Sequence, residues 1–149
     1  MTGKDLLAGL PHQHLQGTLE FFCDAITYDS RTATPGSIFV ALKGARTDGH
    51  DYVQDATQRG VSMVIVEQNV AVPNEIAVAQ VPDSRQALAH LAATFHGHPA
   101  QSLKLIGITG TNGKTSVAFL FRHLLRNAGR RCGLIGTVEY DLGDRVIPA

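Results

Sequence analysis

The run Leu103-Lys104-Leu105-Ile106-Gly107-Ile108-Thr109 leads directly into Gly110-Thr111-Asn112-Gly113-Lys114-Thr115, and no other stretch limits the fold as strongly. The apolar run predicts a buried strand. Past the glycines, Val117, Leu120, Phe121, Leu124, Leu125 and Ala128 recur at the spacing of one helical face. Strand, glycine loop, Lys-Thr and helix, in that order, are the parts of a phosphate-binding loop. Glycines let consecutive backbone N–H groups turn toward one anion, the helix start adds partial positive charge, and the lysine reaches outer phosphate oxygens. Thr115 would then set its hydroxyl on a magnesium ion.

The general pattern places four residues between its glycines, whereas Gly110 and Gly113 are separated by two and position 108 is isoleucine. A shorter G-x-x-G-K-T variant therefore stands. A glycine turn carrying an incidental lysine is the bland alternative, and the periodicities on both sides favour nucleotide binding over it.

A chain of 149 residues with 44% hydrophobic content holds one domain or two small ones around a real core. The balance of 13 basic and 13 acidic residues argues against nucleic acid as the main partner. Apolar runs such as Val61 to Val66, broken by Ser62, are too short for a bilayer, and no signal-peptide pattern opens the chain. The expected address is cytoplasmic, with no membrane partner. Cys23 and Cys132 form no C-x-x-C pair and read as reduced, packed thiols. His12, His14, His96 and His98 lack the converging ligands that a tetrahedral metal site needs and read as exposed loop residues.

In chain order, Lys4 to Leu10 reads as a short amphipathic helix, Thr18 to Ala25 as weakly strand-like, and Ile38 to Leu42 as a clear strand after the Pro35-Gly36 turn. Tyr28-Asp29-Ser30-Arg31 is a polar cluster that alone would be a turn with a local ion pair. Gly44 to His50 is a polar loop, and Asp51 to Arg59 a helix with Tyr52, Val53 and Ala56 inward and Gly60 as its stop. Val61 to Val66 and Ala77 to Val81 read as strands. Asp83 with Gln86 has the form of a capping box for a helix striped by Leu88, Leu91, Ala92 and Phe95.

This alternation predicts a small N-terminal α/β domain, residues 1–97, followed from residue 98 to 149 by the first β-α-β unit of a P-loop ATP-binding domain. After the helix, Arg131 to Thr137 supplies a strand, and Val138 to Ile147 a hairpin around Gly143-Asp144. A nucleotide-binding domain of this kind needs several parallel strands. The sequence is thus expected to be a fragment of a longer protein.

Gly107 to Thr115, with Asp29-Ser30-Arg31 and Gly36-Ser37-Ile38-Phe39-Val40-Ala41-Leu42-Lys43-Gly44 upstream, resembles the Mur ligases of bacterial peptidoglycan synthesis over essentially the whole chain. Gly133-Leu134-Ile135-Gly136-Thr137-Val138 looks most like the members that add the third stem-peptide residue. The resemblance implies a three-domain, ATP-dependent, amide-bond-forming ligase acting on UDP-N-acetylmuramoyl-L-alanyl-D-glutamate. Its D-glutamate γ-carboxylate becomes an acyl phosphate, which the amine of meso-diaminopimelate, or L-lysine in other members, attacks. Carried over residue by residue, Gly110, Thr111, Asn112, Gly113, Lys114, Thr115 and Ser116 form the ATP loop, with Lys114 catalytic and Thr115 on Mg2+. Tyr28, Ser30, Ala45, Arg46 and Thr47 form the uridine-nucleotide site. The family's remaining magnesium ligands and amino-acid-selecting motif are not in this sequence, so it is expected not to ligate alone.

Two alternatives stay open: the sister ligase adding D-alanyl-D-alanine, and a non-catalytic module binding a nucleotide or sugar nucleotide. A P-loop kinase or GTPase would carry the longer glycine spacing, and a GTPase an Asn-Lys-x-Asp motif, neither of which is present.

Overall fold

Three short apolar runs alternate in which side of a sheet they face, and that alternation builds the first unit. In β3 (Ile38–Val40), β4 (Met63–Val66) and β5 (Ala77–Gln80), Ile38, Val40, Met63, Ile65, Ala77 and Ala79 enter one core, while Phe39, Val64, Val66 and Val78 enter the other. Both faces are covered. Helices α1 (Gly3–Leu7) and α3 (Ser84–Phe95) lay Leu6, Leu7, Ala87 and Leu91 on the first face, and α2 (Val53–Gln58) lays Val53 and Ala56 on the second.

The computed structural model describes residues 1–45 and 47–149, in two compact units, Met1–Leu103 and Lys104–Ala149. In the first, five strands run in the order β1-β5-β4-β3-β2, with β2 (Ile26–Thr27), β3, β4 and β5 parallel and β1 (Gln13–Gln16) antiparallel to β5. The small α/β domain read from the sequence is present. Thr2 and Asp5 cap α1 reciprocally, and Gly60 ends the α2 region at φ +83°. At α3, Asp83 accepts from the N–H groups of Arg85 and Gln86, but the Gln86 side chain donates its amide N–H to the Asp83 carboxylate instead of accepting from the Asp83 N–H, so only half of a capping box forms.

Several expectations need correction. The first helix stops at Leu7. Thr18 to Ala25 forms no strand beyond a single bridge between Thr2 and Phe22. His14, read as an exposed loop residue, lies in an edge strand, Gln13 to Gln16, held by main-chain pairing with β5, which needs no apolar side chain. Tyr52 does not turn inward; it stays 41% exposed in the 3-10 turn Gly49–Tyr52 that precedes α2.

In the second unit, α4 (Lys114–Asn127) precedes an antiparallel sheet of β6 (Leu134–Ile135), β7 (Glu139–Asp141) and β8 (Val146–Pro148) in the order β6-β7-β8. The β7-β8 hairpin around Gly143 is as expected. The strand expected over Leu103 to Thr109 is not formed, so the expected β-α-β unit is not complete. Parallel strands need hydrogen-bonding neighbours, and none pairs with this run among the described residues, where Leu105 is 73% exposed. Charge joins helix to hairpin: Arg122 donates to Glu139 and to buried Asp141, each at 2.6 Å, and Arg126 donates to Asp141 at 2.9 Å. The Asp141 carboxyl lies below the usual range, held there first by the Gly143 N–H that it accepts at 2.9 Å and next, among the favourable contacts, by the Arg126 guanidinium.

Candidate functional site

Parallel strands present their carboxyl ends, and the loops leaving them, to one edge of a sheet, the usual place for a ligand crevice. Here the loops after β2 and β3 enclose a cleft of about 470 Å3 lined by Tyr28, Asp29, Ser30, Arg31, Phe39, Leu42, Gly44, Thr47, Gly49, Tyr52 and Arg85. Of the five residues expected at the uridine nucleotide, Tyr28, Ser30 and Thr47 meet in this cleft. Ala45 is exposed in the same loop but does not line it, and Arg46 lies outside the described residues.

The cleft has one wet wall and one aromatic edge. Asp29 caps the 3-10 turn Ser30–Thr32 by accepting from the Arg31 N–H at 3.0 Å. Its two oxygens also take the Arg31 guanidinium in a forked pair, with Nη2 at 2.6 Å. The Arg31 side chain, with its N–H, holds the Asp29 carboxyl down at about 2. Ser30 is buried and lines the cleft. Tyr28 and Tyr52 expose 64% and 41% of their surface there, enough to offer ring faces to a planar ligand.

The loop carrying Thr47 is fixed by a chain of hydrogen bonds that local sequence does not reveal. Asp48 accepts from the His50 N–H and, at 2.6 Å, from His50 Nδ1; His50 Nε2 accepts from the Glu67 N–H at 2.9 Å. Since Nε2 accepts, Nδ1 carries the ring hydrogen. Both bonds from His50 keep the Asp48 carboxyl low, the backbone one foremost. Glu67 in turn accepts from the Ser84 N–H at the start of α3. Gly49 donates to the Leu42 carbonyl at 2.8 Å, and a Cβ there would stand 2.6 Å from the Leu42 nitrogen, so only glycine fits. Asp48 and His50 stand in the polar loop read from sequence, but Glu67, the partner of His50 17 residues onward, carries no local signal.

In the second unit the glycine loop is a separate candidate. Gly110 and Gly113 both take positive φ, 152° and 76°. Gly113 supplies no side-chain cap to α4, which leaves the N–H groups of Lys114, Thr115 and Ser116 open. Lys114 Nζ donates to the Gly110 carbonyl at 2.6 Å and more weakly to that of Thr111. Open N–H groups beside an amine held only by carbonyls fit a polyphosphate. Among the described residues no three or more His, Cys, Asp or Glu converge as a metal site. No helix among them is long and apolar enough to cross a membrane.

A largely parallel sheet with a cleft at its strand ends, followed by a distinct unit that carries a glycine loop ahead of a helix, defines a chain of two units with one candidate site in each. The chain belongs to the Mur ligase family: the model of the Mur ligase family catalytic domain matches residues 23–96, and that of the Mur ligase middle domain residues 108–147. It is 40% identical over 146 residues to the UDP-N-acetylmuramoyl-L-alanyl-D-glutamate--2,6-diaminopimelate ligase of Clostridium perfringens, covering 98% of this chain and 30% of that protein. To the ligase of the same name from Geobacillus thermodenitrificans it is 46% identical over 125 residues, 84% of this chain and 25% of that protein. Among solved structures, the UDP-N-acetylmuramoylalanyl-D-glutamyl-2,6-diaminopimelate--D-alanyl-D-alanyl ligase of Acinetobacter baumannii matches at 33% identity and TM-score 0.61, over 85% of this chain and 28% of that one. The chain therefore spans under a third of the length of these relatives.

Proposed function

We propose that this chain is the amino-terminal part of a cytoplasmic, ATP- and magnesium-dependent ligase that adds meso-diaminopimelate, or L-lysine, to UDP-N-acetylmuramoyl-L-alanyl-D-glutamate. The observation carrying this reading is identity of 40% across nearly the whole chain to a diaminopimelate ligase. The Met1–Leu103 unit, which takes in the 1–97 domain expected from sequence, binds the uridine nucleotide in the cleft of Tyr28, Ser30 and Thr47. The Lys104–Ala149 unit opens the P-loop domain, with Gly110 to Ser116 around the ATP phosphates.

In that reaction the D-glutamate γ-carboxylate attacks the terminal phosphorus of ATP and ADP leaves. The amine then attacks the acyl carbon and phosphate leaves. Carboxylate and triphosphate repel one another, so cations must offset charge on the transferring group. Lys114 suits this task because, among the described residues, its amine is bonded to the Gly110 and Thr111 carbonyls and has no carboxylate partner to give up. Thr115 would hold a magnesium ion through its hydroxyl oxygen, and that ion would supply further charge neutralisation at the phosphates.

The likeness to the Acinetobacter protein favours one second reading, addition of D-alanyl-D-alanine to the tripeptide precursor. ADP release by the full-length protein separates the two. Release from ATP, magnesium and the dipeptide precursor that depends on meso-diaminopimelate or L-lysine supports the proposal. Release only with the tripeptide precursor and D-alanyl-D-alanine favours the sister ligase, and release under neither condition overturns both.

A further inference from the structure

The cleft contains two arginines in different electrical states. Arg31 is forked onto Asp29, so the pair adds no net charge to the wall. Arg85, in the first turn of α3, lines the same cleft but forms no ion pair with any carboxylate among the described residues. Its recorded side-chain bond runs from Nη2 to the Lys43 carbonyl at 2.9 Å. That bond crosses 42 residues of sequence and holds the guanidinium beside the turn that leads into Gly44 and Thr47. A guanidinium carries five N–H donors, and one such bond leaves four of them.

We infer that Arg85 is the ligand of the diphosphate group in this cleft. The inference rests on the reading of the cleft as a uridine-nucleotide site and adds to it a residue outside the Tyr28, Ser30 and 45–47 set. An anionic diphosphate entering between exposed tyrosines and Thr47 meets one lining cation here that no salt bridge holds, among the described residues. The Lys43 bond presets its position, which spares the side-chain ordering that a free arginine would undergo on binding. The neutral parts of the ligand, base and ribose, fall to the tyrosines and to Ser30.

The test compares UDP with uridine by calorimetric titration of the full-length protein, parent against Arg85→Ala and Arg85→Lys. The expected result is loss of UDP affinity by about tenfold or more in Arg85→Ala, uridine affinity unchanged within about twofold, and partial recovery in Arg85→Lys. If Arg85 only straps the loop, uridine and UDP weaken together and the inference falls. A parent preference for UDP over uridine that survives Arg85→Ala removes Arg85 while leaving the cleft intact. If the folded parent binds neither, the nucleotide reading of the cleft fails with it.

Discussion

In the Met1–Leu103 unit Phe39, Ile65 and Leu91 are fully buried, whereas in the Lys104–Ala149 unit Leu120, Phe121 and Leu124 of α4 are 58%, 43% and 55% exposed. The first unit alternates strands and helices and closes both faces of its sheet with apolar side chains, whereas the second sets one helix before an antiparallel sheet. The second relies on an ionic knot, Arg122 and Arg126 around Glu139 and Asp141, and on the hairpin. A ligand cleft placed on a closed core is preorganised by packing. A glycine loop placed ahead of an open helix is set by backbone conformation and by the Lys114 amine bonded to the Gly110 and Thr111 carbonyls.

Truncating side chains tests that contrast most severely. Phe39→Ala should destabilise the first unit by about 3–5 kcal/mol in urea unfolding, because it leaves a cavity in a packed layer. Leu120→Ala in the 149-residue chain should change stability by less than about 0.5 kcal/mol. Equal losses would mean that α4 is packed. Next in size, Lys114→Ala in the full-length protein should lower turnover by about a hundredfold or more while leaving affinity for the UDP-linked substrate unchanged. Unchanged turnover would remove Lys114 from the chemistry. Ser30→Ala should do the reverse, weakening the UDP-linked substrate by about 0.5–1.5 kcal/mol with turnover at saturation preserved; equal affinity would reduce Ser30 to a turn residue.

The smallest effect concerns pH. Asp29 is held at about 2 against an ordinary 3.8, so its contribution to the first unit is in place above the ordinary value and fades as pH falls toward 2. Carboxyl-carbon NMR should find that midpoint, and Arg31→Ala should return it toward the ordinary value. An identical midpoint in both proteins would show that the forked pair is not what lowers it.

What sequence made legible follows the same division. β3, β4, β5 and α3 were readable because burial on both sides demands apolar runs and an apolar stripe, and these survive without knowledge of partners. β1 was missed because an edge strand asks nothing of its side chains. The Leu103 to Thr109 run carried the composition of a buried strand, but a strand is a relation between segments, and no described segment pairs with it. At the cleft, the Asp29-Ser30-Arg31 cluster and the loop with Thr47 could be picked out locally. His50, Glu67 and Arg85 could not, since their roles arise from contacts 17 to 42 residues away.

The central claim is that two nucleotides bind two separate places in this chain, the uridine nucleotide in the cleft and ATP at the glycine loop. Backbone amide NMR of the full-length protein, titrated first with UDP and then with ATP and magnesium, tests it directly. The account predicts that UDP shifts the resonances of Tyr28, Ser30, Thr47 and Gly49 and that ATP shifts those of Gly110 to Ser116, with little overlap. ATP moving the cleft resonances while leaving Gly110 to Ser116 in place would contradict it.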